Sequence, residues 1–125
     1  WTVRARRHGW VVRALPVSFP ARSVDQIVDQ YAKAFTPRTR VVGLTHVTNV
    51  TGLRMPVREI GEIARRRNIW VHVDGAQSFG ALNVNLSAMQ CDSYATSTHK
   101  WMMGPLEAGV LFVRKDRVAE VWPSI

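Results

Sequence analysis

Apolar and polar positions along this chain fall into blocks whose period switches between extended and helical and back again. Residues 9–15 (GWVVRAL), dense in valine and tryptophan, predict a short strand. Ser23-Val24-Asp25-Gln26 has the spacing of a capping box, and opens a helix. Along that helix Val24, Ile27, Val28, Tyr31 and Phe35 recur on one face until Thr36-Pro37 stops it. Residues 40–45 (RVVGLT) read as a second strand, mostly apolar as in a sheet covered on both faces. Met55-Pro56 begins another helix, proline suiting its first turn. Val57, Ile60, Ile63 and Ala64 form its inner stripe, while Arg58, Glu59, Glu62 and Arg66 face outward, with Glu62 and Arg66 spaced as an i, i+4 ion pair. Asn68 is a suitable stop. Residues 69–73 (IWVHV), 93–96 (SYAT) and 109–114 (GVLFVR) are the remaining strands.

Strands alternating with helices at this spacing imply right-handed crossovers and a mainly parallel sheet with helices on both faces. The fold class is therefore α/β, with residues 1–125 forming part of one layered domain. No internal repeat, low-complexity tract or linker interrupts it. A hydrophobic content of 46% with 21% charged residues is that of a globular chain, and 125 residues can bury a core. No apolar run approaches the about 18 residues that a membrane helix needs, so no membrane partner is expected. The chain starts at Trp1 without a secretory signal, and is expected to be a segment of a longer, cytoplasmic protein whose own start could carry a targeting signal.

A net charge of +8 raises a polyanion as a partner. The basic residues are spread out, however, and the densest run, Arg65-Arg66-Arg67, closes a helix, where cations suit the dipole. The five tryptophans are likewise scattered instead of forming a stacking platform, so nucleic-acid binding is not favoured. The single cysteine, Cys91, excludes an internal disulfide, fits a reducing compartment and reads as a small buried hydrophobe.

Ligands in such sheets collect beyond the carboxyl ends of the strands. His46-Val47-Thr48-Asn49 follows the 40–45 strand, Asp74-Gly75-Ala76-Gln77 the 69–73 strand, and Ser97-Thr98-His99-Lys100-Trp101 the 93–96 strand. A sheet built only for stability has no need of polar residues at three successive strand ends. Each residue has an ordinary reading. Lys100, beside Trp101, Met102 and Met103, is either a desolvated nucleophile or a surface charge. Asp74 could be a helix N-cap or turn aspartate, and Ser97 and His99 could hold a phosphate or merely satisfy a turn. Gly75 and Gly104 would permit close backbone approach or a sharp turn.

Their joint order, His46-Val47-Thr48-Asn49…Gly52…Pro56, then Val73-Asp74-Gly75-Ala76-Gln77, then Ser97-Thr98-His99-Lys100-Trp101…Gly104-Pro105, resembles the class V aminotransferase family over residues 10–123. These fold-type I pyridoxal-phosphate enzymes include cysteine desulfurases, selenocysteine lyases and isopenicillin-N epimerase-like proteins. The resemblance implies part of a large cofactor-binding domain, with the N-terminal part and the small C-terminal domain absent. It implies pyridoxal 5'-phosphate as cofactor, an amino acid as substrate, a homodimer for the full-length protein and no metal. It assigns Lys100 the Schiff base and proton transfer at the substrate α-carbon, and Asp74 the pyridinium nitrogen. Gln77 would bind the phenolic oxygen, Asn49 that oxygen or the substrate carboxylate, and Ser97 and His99 the phosphate. Trp101 would pack beneath the lysine loop. Leu106-Glu107-Ala108-Gly109 stands where desulfurases usually carry a threonine- and glycine-rich stretch, and Cys91 is not at the nucleophilic cysteine's position. The first of these, together with Lys100-Trp101, leans toward the epimerase-like and general aminotransferase branch, with desulfurase or lyase chemistry as the alternative. Two further alternatives are a basic nucleic-acid-binding module and a segment inactive by itself.

Overall fold

The chain begins with a helix that hydrophobic periodicity does not reveal. The structure, a computed structural model, describes residues 1–122; residues 123–125 of the expected domain, Pro123 of the family resemblance among them, lie outside the described residues. Helix α1 (Thr2–His8) buries only Ala5, so no apolar stripe betrays it. Gly9 ends it in the left-handed conformation at φ 67, which glycine adopts without strain. The strand expected at 9–15 does not form. Extended backbone becomes a strand only when a neighbour takes up its N–H and C=O groups, and no described residue pairs with this segment; Val11 is 92% exposed.

The remaining elements lie where the pattern puts them. Helix α2 (Val24–Ala34) is capped by Ser23, whose Oγ accepts the Gln26 N–H at 3.1 Å while the Gln26 side-chain oxygen accepts from the Arg22 N–H. Strand β1 (Val41–Thr45), helix α3 (Val57–Arg66) and strand β2 (Trp70–Asp74) follow, then β3 (Ser93–Ser97) and β4 (Gly109–Val113). The sheet order is β1-β2-β3-β4. β1, β2 and β3 are parallel, and β4 returns antiparallel to β3, so the sheet is mixed but mainly parallel.

One face of the sheet presents Val42, Leu44, Val71, Val73 and Tyr94 to Ile27 and Tyr31 of α2 and to Ile60 and Ala64 of α3, and these residues form a single core cluster. Gly61 lets α3 approach the 89–90 backbone, because a Cβ there would stand 3.0 Å from the Met89 carbonyl oxygen. Helical segments stand on the other face as well. Arg117, in a 3-10 helix (Lys115–Glu120), lies 4.7 Å above the Trp70 ring, and Trp1 lines one cavity together with Gly43 and His72. The expected two-sided arrangement is present.

Polar side chains lock the layers together. Arg67 donates to the Ala32 and Phe35 carbonyls, closing the end of α2, and Arg65 donates to Gln90. Glu62 pairs with Arg58 and not with the expected Arg66; an arginine stands one turn away on either side, and one carboxylate serves the first. Asp92, buried between β2 and β4, accepts the Val71 N–H at 2.8 Å and pairs with Arg114 at 3.0 Å.

Candidate active site

Backbone pairing continues past the strands and brings their ends level. The His46 N–H donates to the Asp74 carbonyl at 2.9 Å and the Gly75 N–H to the Ala95 carbonyl at 2.8 Å. A cavity of ≈550 Å³ runs along the strands from Gly43, His72 and Ala95 and reaches these ends at Thr45, Asp74 and Ser97. Asp74 is exposed at the end of β2, and its Oδ1 accepts the Ala76 N–H at 2.9 Å. This is the turn aspartate of its ordinary reading, and the turn also orients the carboxylate, with Oδ2 making no bond among the described residues.

The turn after Asp74 rests on a buried pair that the sequence reading did not single out. Tyr94, 1% exposed, packs its ring where a side chain at Gly75 would be: a Cβ there would fall 1.9 Å from the ring. The close approach expected at Gly75 is therefore to Tyr94. The Tyr94 hydroxyl lies 2.9 Å from Ser78 Oγ and donates to the Gly75 carbonyl, and burial pushes its pKa up. His72 was missed too. It lies two residues before Asp74, on the same face of β2, and that alternation was the available signal. Its Nδ1 is 2.8 Å from Ser93 Oγ; burial lowers its pKa, and the Asp74 charge opposes that shift.

Lys100 lies in the 98–108 connection that turns the chain from β3 into antiparallel β4. Thr98 organises this loop, its Oγ1 donating to the carbonyls of Pro105 and Ala108, while Gly104 returns its N–H to the Thr98 carbonyl at 2.9 Å. A Cβ at Gly104 would press against the Thr98 side chain at 2.8 Å, so this glycine is needed for the turn. Met103, at φ 50, donates its N–H to the Lys100 carbonyl. The desolvation expected for Lys100 is not supplied by the described residues. Lys100 is exposed, and so are Trp101, Met102 and Met103, because the turn carries all four away from the core. Nor does Trp101 pack beneath the loop: it is 56% exposed, and its indole Nε1–H donates to Gln77 Oε1 at 3.0 Å.

Asp74 and Ser97 thus share one cavity, and Gln77 is tied to the lysine loop through Trp101. Asn49 is exposed in the turn after β1, and His99 is exposed next to Lys100. Among the described residues, the side chains of Asn49, His99 and Lys100 form no hydrogen bond to the others. A second cavity, of ≈380 Å³, lies against the start of α3 between His46, Arg54, Asn83 and Asn85. His46 is 3% exposed, its Nδ1 has no partner among the described residues, and burial, then Arg54, lowers its pKa. Cys91 is buried and its thiol is pushed up to about 11, so it is inert as a nucleophile, as its reading as a small hydrophobe requires.

This arrangement can be set beside known proteins. The chain is 42% identical over 119 residues to the isopenicillin N epimerase of Amycolatopsis lactamdurans, covering 94% of this chain and 30% of that protein. It is 33% identical over 123 residues to a cysteine desulfurase of Salmonella dublin, covering 98% of this chain and 29% of that one. Among solved structures, C-DES with glycine covalently linked to its pyridoxal-phosphate cofactor superposes with a TM-score of 0.85 at 31% identity, over 98% of this chain and 33% of that one. The chain thus spans about a third or less of the length of these relatives. The family described as Aminotransferase class-V matches residues 1–124, and the chain belongs to the class V aminotransferase family.

Proposed function

We propose that the protein containing this chain is a pyridoxal-phosphate-dependent enzyme acting on the amino group or α-carbon of an amino acid, as an aminotransferase or epimerase-like enzyme, with Lys100 carrying the cofactor. The observation that carries this reading is the Asp74 carboxylate: fixed by the Ala76 N–H, with one oxygen free, at the rim of a cavity shared with Ser97. An aromatic ring with a basic nitrogen and a phosphate suits these donors and acceptors, and ≈550 Å³ is room for one small ligand. When bound, the cofactor supplies an electron sink for charge developing at the substrate α-carbon.

The chain's own residues would do the rest. Asp74 accepts from the ring nitrogen and keeps it protonated. Gln77 donates its amide N–H to the phenolic oxygen, and Ser97 and His99 donate to the phosphate. Asn49, on its exposed turn, reaches the same phenolic oxygen or the substrate carboxylate. Lys100 Nζ would hold the cofactor by its aldehyde and would move the proton at the substrate α-carbon. Homodimerisation of the full-length protein is part of this reading.

Cysteine desulfurase chemistry is the second reading, because several relatives bear that name. It would need a nucleophilic thiol outside this chain, since Cys91 is buried. The test is to add pyridoxal phosphate to the full-length protein, follow the near-visible band of lysine-bound cofactor, reduce with borohydride and map the label. Label on Lys100, lost in Lys100→Ala, is the expected result. Label on Lys33 or Lys115, or no band at all, overturns the proposal. Sulfide release from cysteine by the labelled-competent protein would favour the second reading.

A further inference from the structure

We propose that Trp101 is a positioning residue for the cofactor ring, acting by fixing which end of the Gln77 amide faces the site. This inference rests on the reading above. Its carrier is the bond from Trp101 Nε1–H to Gln77 Oε1 at 3.0 Å, made across 24 residues of sequence. An indole N–H can only donate, so the atom opposite it must be the amide oxygen. The two ends of an amide are usually hard to tell apart, but here the donor decides. With the oxygen held by Trp101, the Gln77 NH2 group is the end left to the site. An NH2 group donates to an anionic ring oxygen, whereas a flipped amide would set carbonyl oxygen against that oxygen, and its own NH2 against the indole N–H.

The setting supports a positioning role over packing. Within this segment Trp101 is 56% exposed, and its polar tip makes the defined contact. Gln77 sits in the turn that Asp74 opens, and Trp101 is next to Lys100. The bond therefore ties the element that recognises the ring to the loop that would hold its aldehyde. Gly80 adds a second tie between the two segments, since a Cβ on it would lie 2.9 Å from the Met102 backbone nitrogen and side chain.

Three variants of the full-length protein test this: Trp101→Phe, Gln77→Ala and the double variant. In the cofactor-free protein, the Trp101 indole N–H proton should show the downfield NMR shift and slow exchange of a bonded donor, and lose both in Gln77→Ala. In the loaded protein, Trp101→Phe should weaken pyridoxal-phosphate binding by roughly five-fold, the loss of one ordinary hydrogen bond. It should also move the pH at which the near-visible band titrates, because that pH reports on donors to the ring oxygen. The double variant should match Gln77→Ala, since Trp101 acts only through Gln77. An unshifted indole proton, an unchanged band titration in Trp101→Phe, or additive effects in the double variant would overturn the inference. Failure of the functional reading is a different result: no band, or a label away from Lys100, in the unaltered protein.

Discussion

At the scale of single residues, two histidines make the fold sensitive to acid. Burial lowers the pKa of both His46 and His72 below the ordinary value near 6.5, with Arg54 adding to the effect at His46 and Asp74 opposing it at His72. A group whose pKa is lower folded than unfolded binds its proton more readily in the unfolded chain. Stability is therefore complete above about pH 6.5 and declines as the pH falls through the unfolded value toward the folded ones. Urea unfolding at pH 7.5, 6 and 5 should show the decline, and His46→Asn should flatten part of it; an equal slope in that variant would clear His46 of responsibility. Gly75 is the least replaceable residue near the site. In Gly75→Ala the new methyl would meet the Tyr94 ring at 1.9 Å, so the turn holding Asp74 must move. That variant should lose cofactor binding along with stability, read by the near-visible band and thermal unfolding.

At the scale of elements, stability comes from α3 seated on β2 and from the Asp92 tie between strands. Ile60 is fully buried in the α2–α3–sheet core, so Ile60→Ala should cost about 2–5 kcal/mol in equilibrium unfolding. Ser23→Ala, removing one cap, should cost only about 1 kcal/mol. Arg114→Ala leaves the Asp92 carboxylate buried beside the Val71 N–H without its cation, and should cost about 3–5 kcal/mol. A loss at Arg114 no larger than that at Ser23 would show that water takes the arginine's place.

At the scale of the whole molecule, part of the basic charge behind the net +8 is committed to structure. Arg58, Arg65, Arg67, Arg114 and Arg117 all bind carboxylates, carbonyls, a glutamine or aromatic rings of this same chain. Because the basic residues are spread along the chain, binding to a mixed-sequence oligonucleotide should be no tighter than ordinary nonspecific association, about 10⁻⁴ to 10⁻⁶ M at physiological salt. Tighter binding that fell steeply with salt would revive the nucleic-acid reading.

The amino-acid sequence alone determined what is local or repetitive. The capping box at Ser23, the apolar stripe of α3 and the strands from 40 to 113 are written in spacing, because each is set by contacts a few residues apart or by the need to bury one face. The family order of Asp74, Gln77, Ser97 and Lys100 was legible for a related reason: the chain passes the same sheet edge after each strand. Tertiary structure decided what depends on a partner far along the chain. The valines at 11 and 12 have strand character, but no strand among the described residues takes up their backbone. α1 forms around one buried alanine and leaves no stripe to read. β4 turns antiparallel, and the loop that carries Lys100 is closed by Thr98. Trp101 exchanges the packing its apolar ring suggests for one directed bond to Gln77, a pairing that no local spacing encodes and that only the folded loop brings within reach.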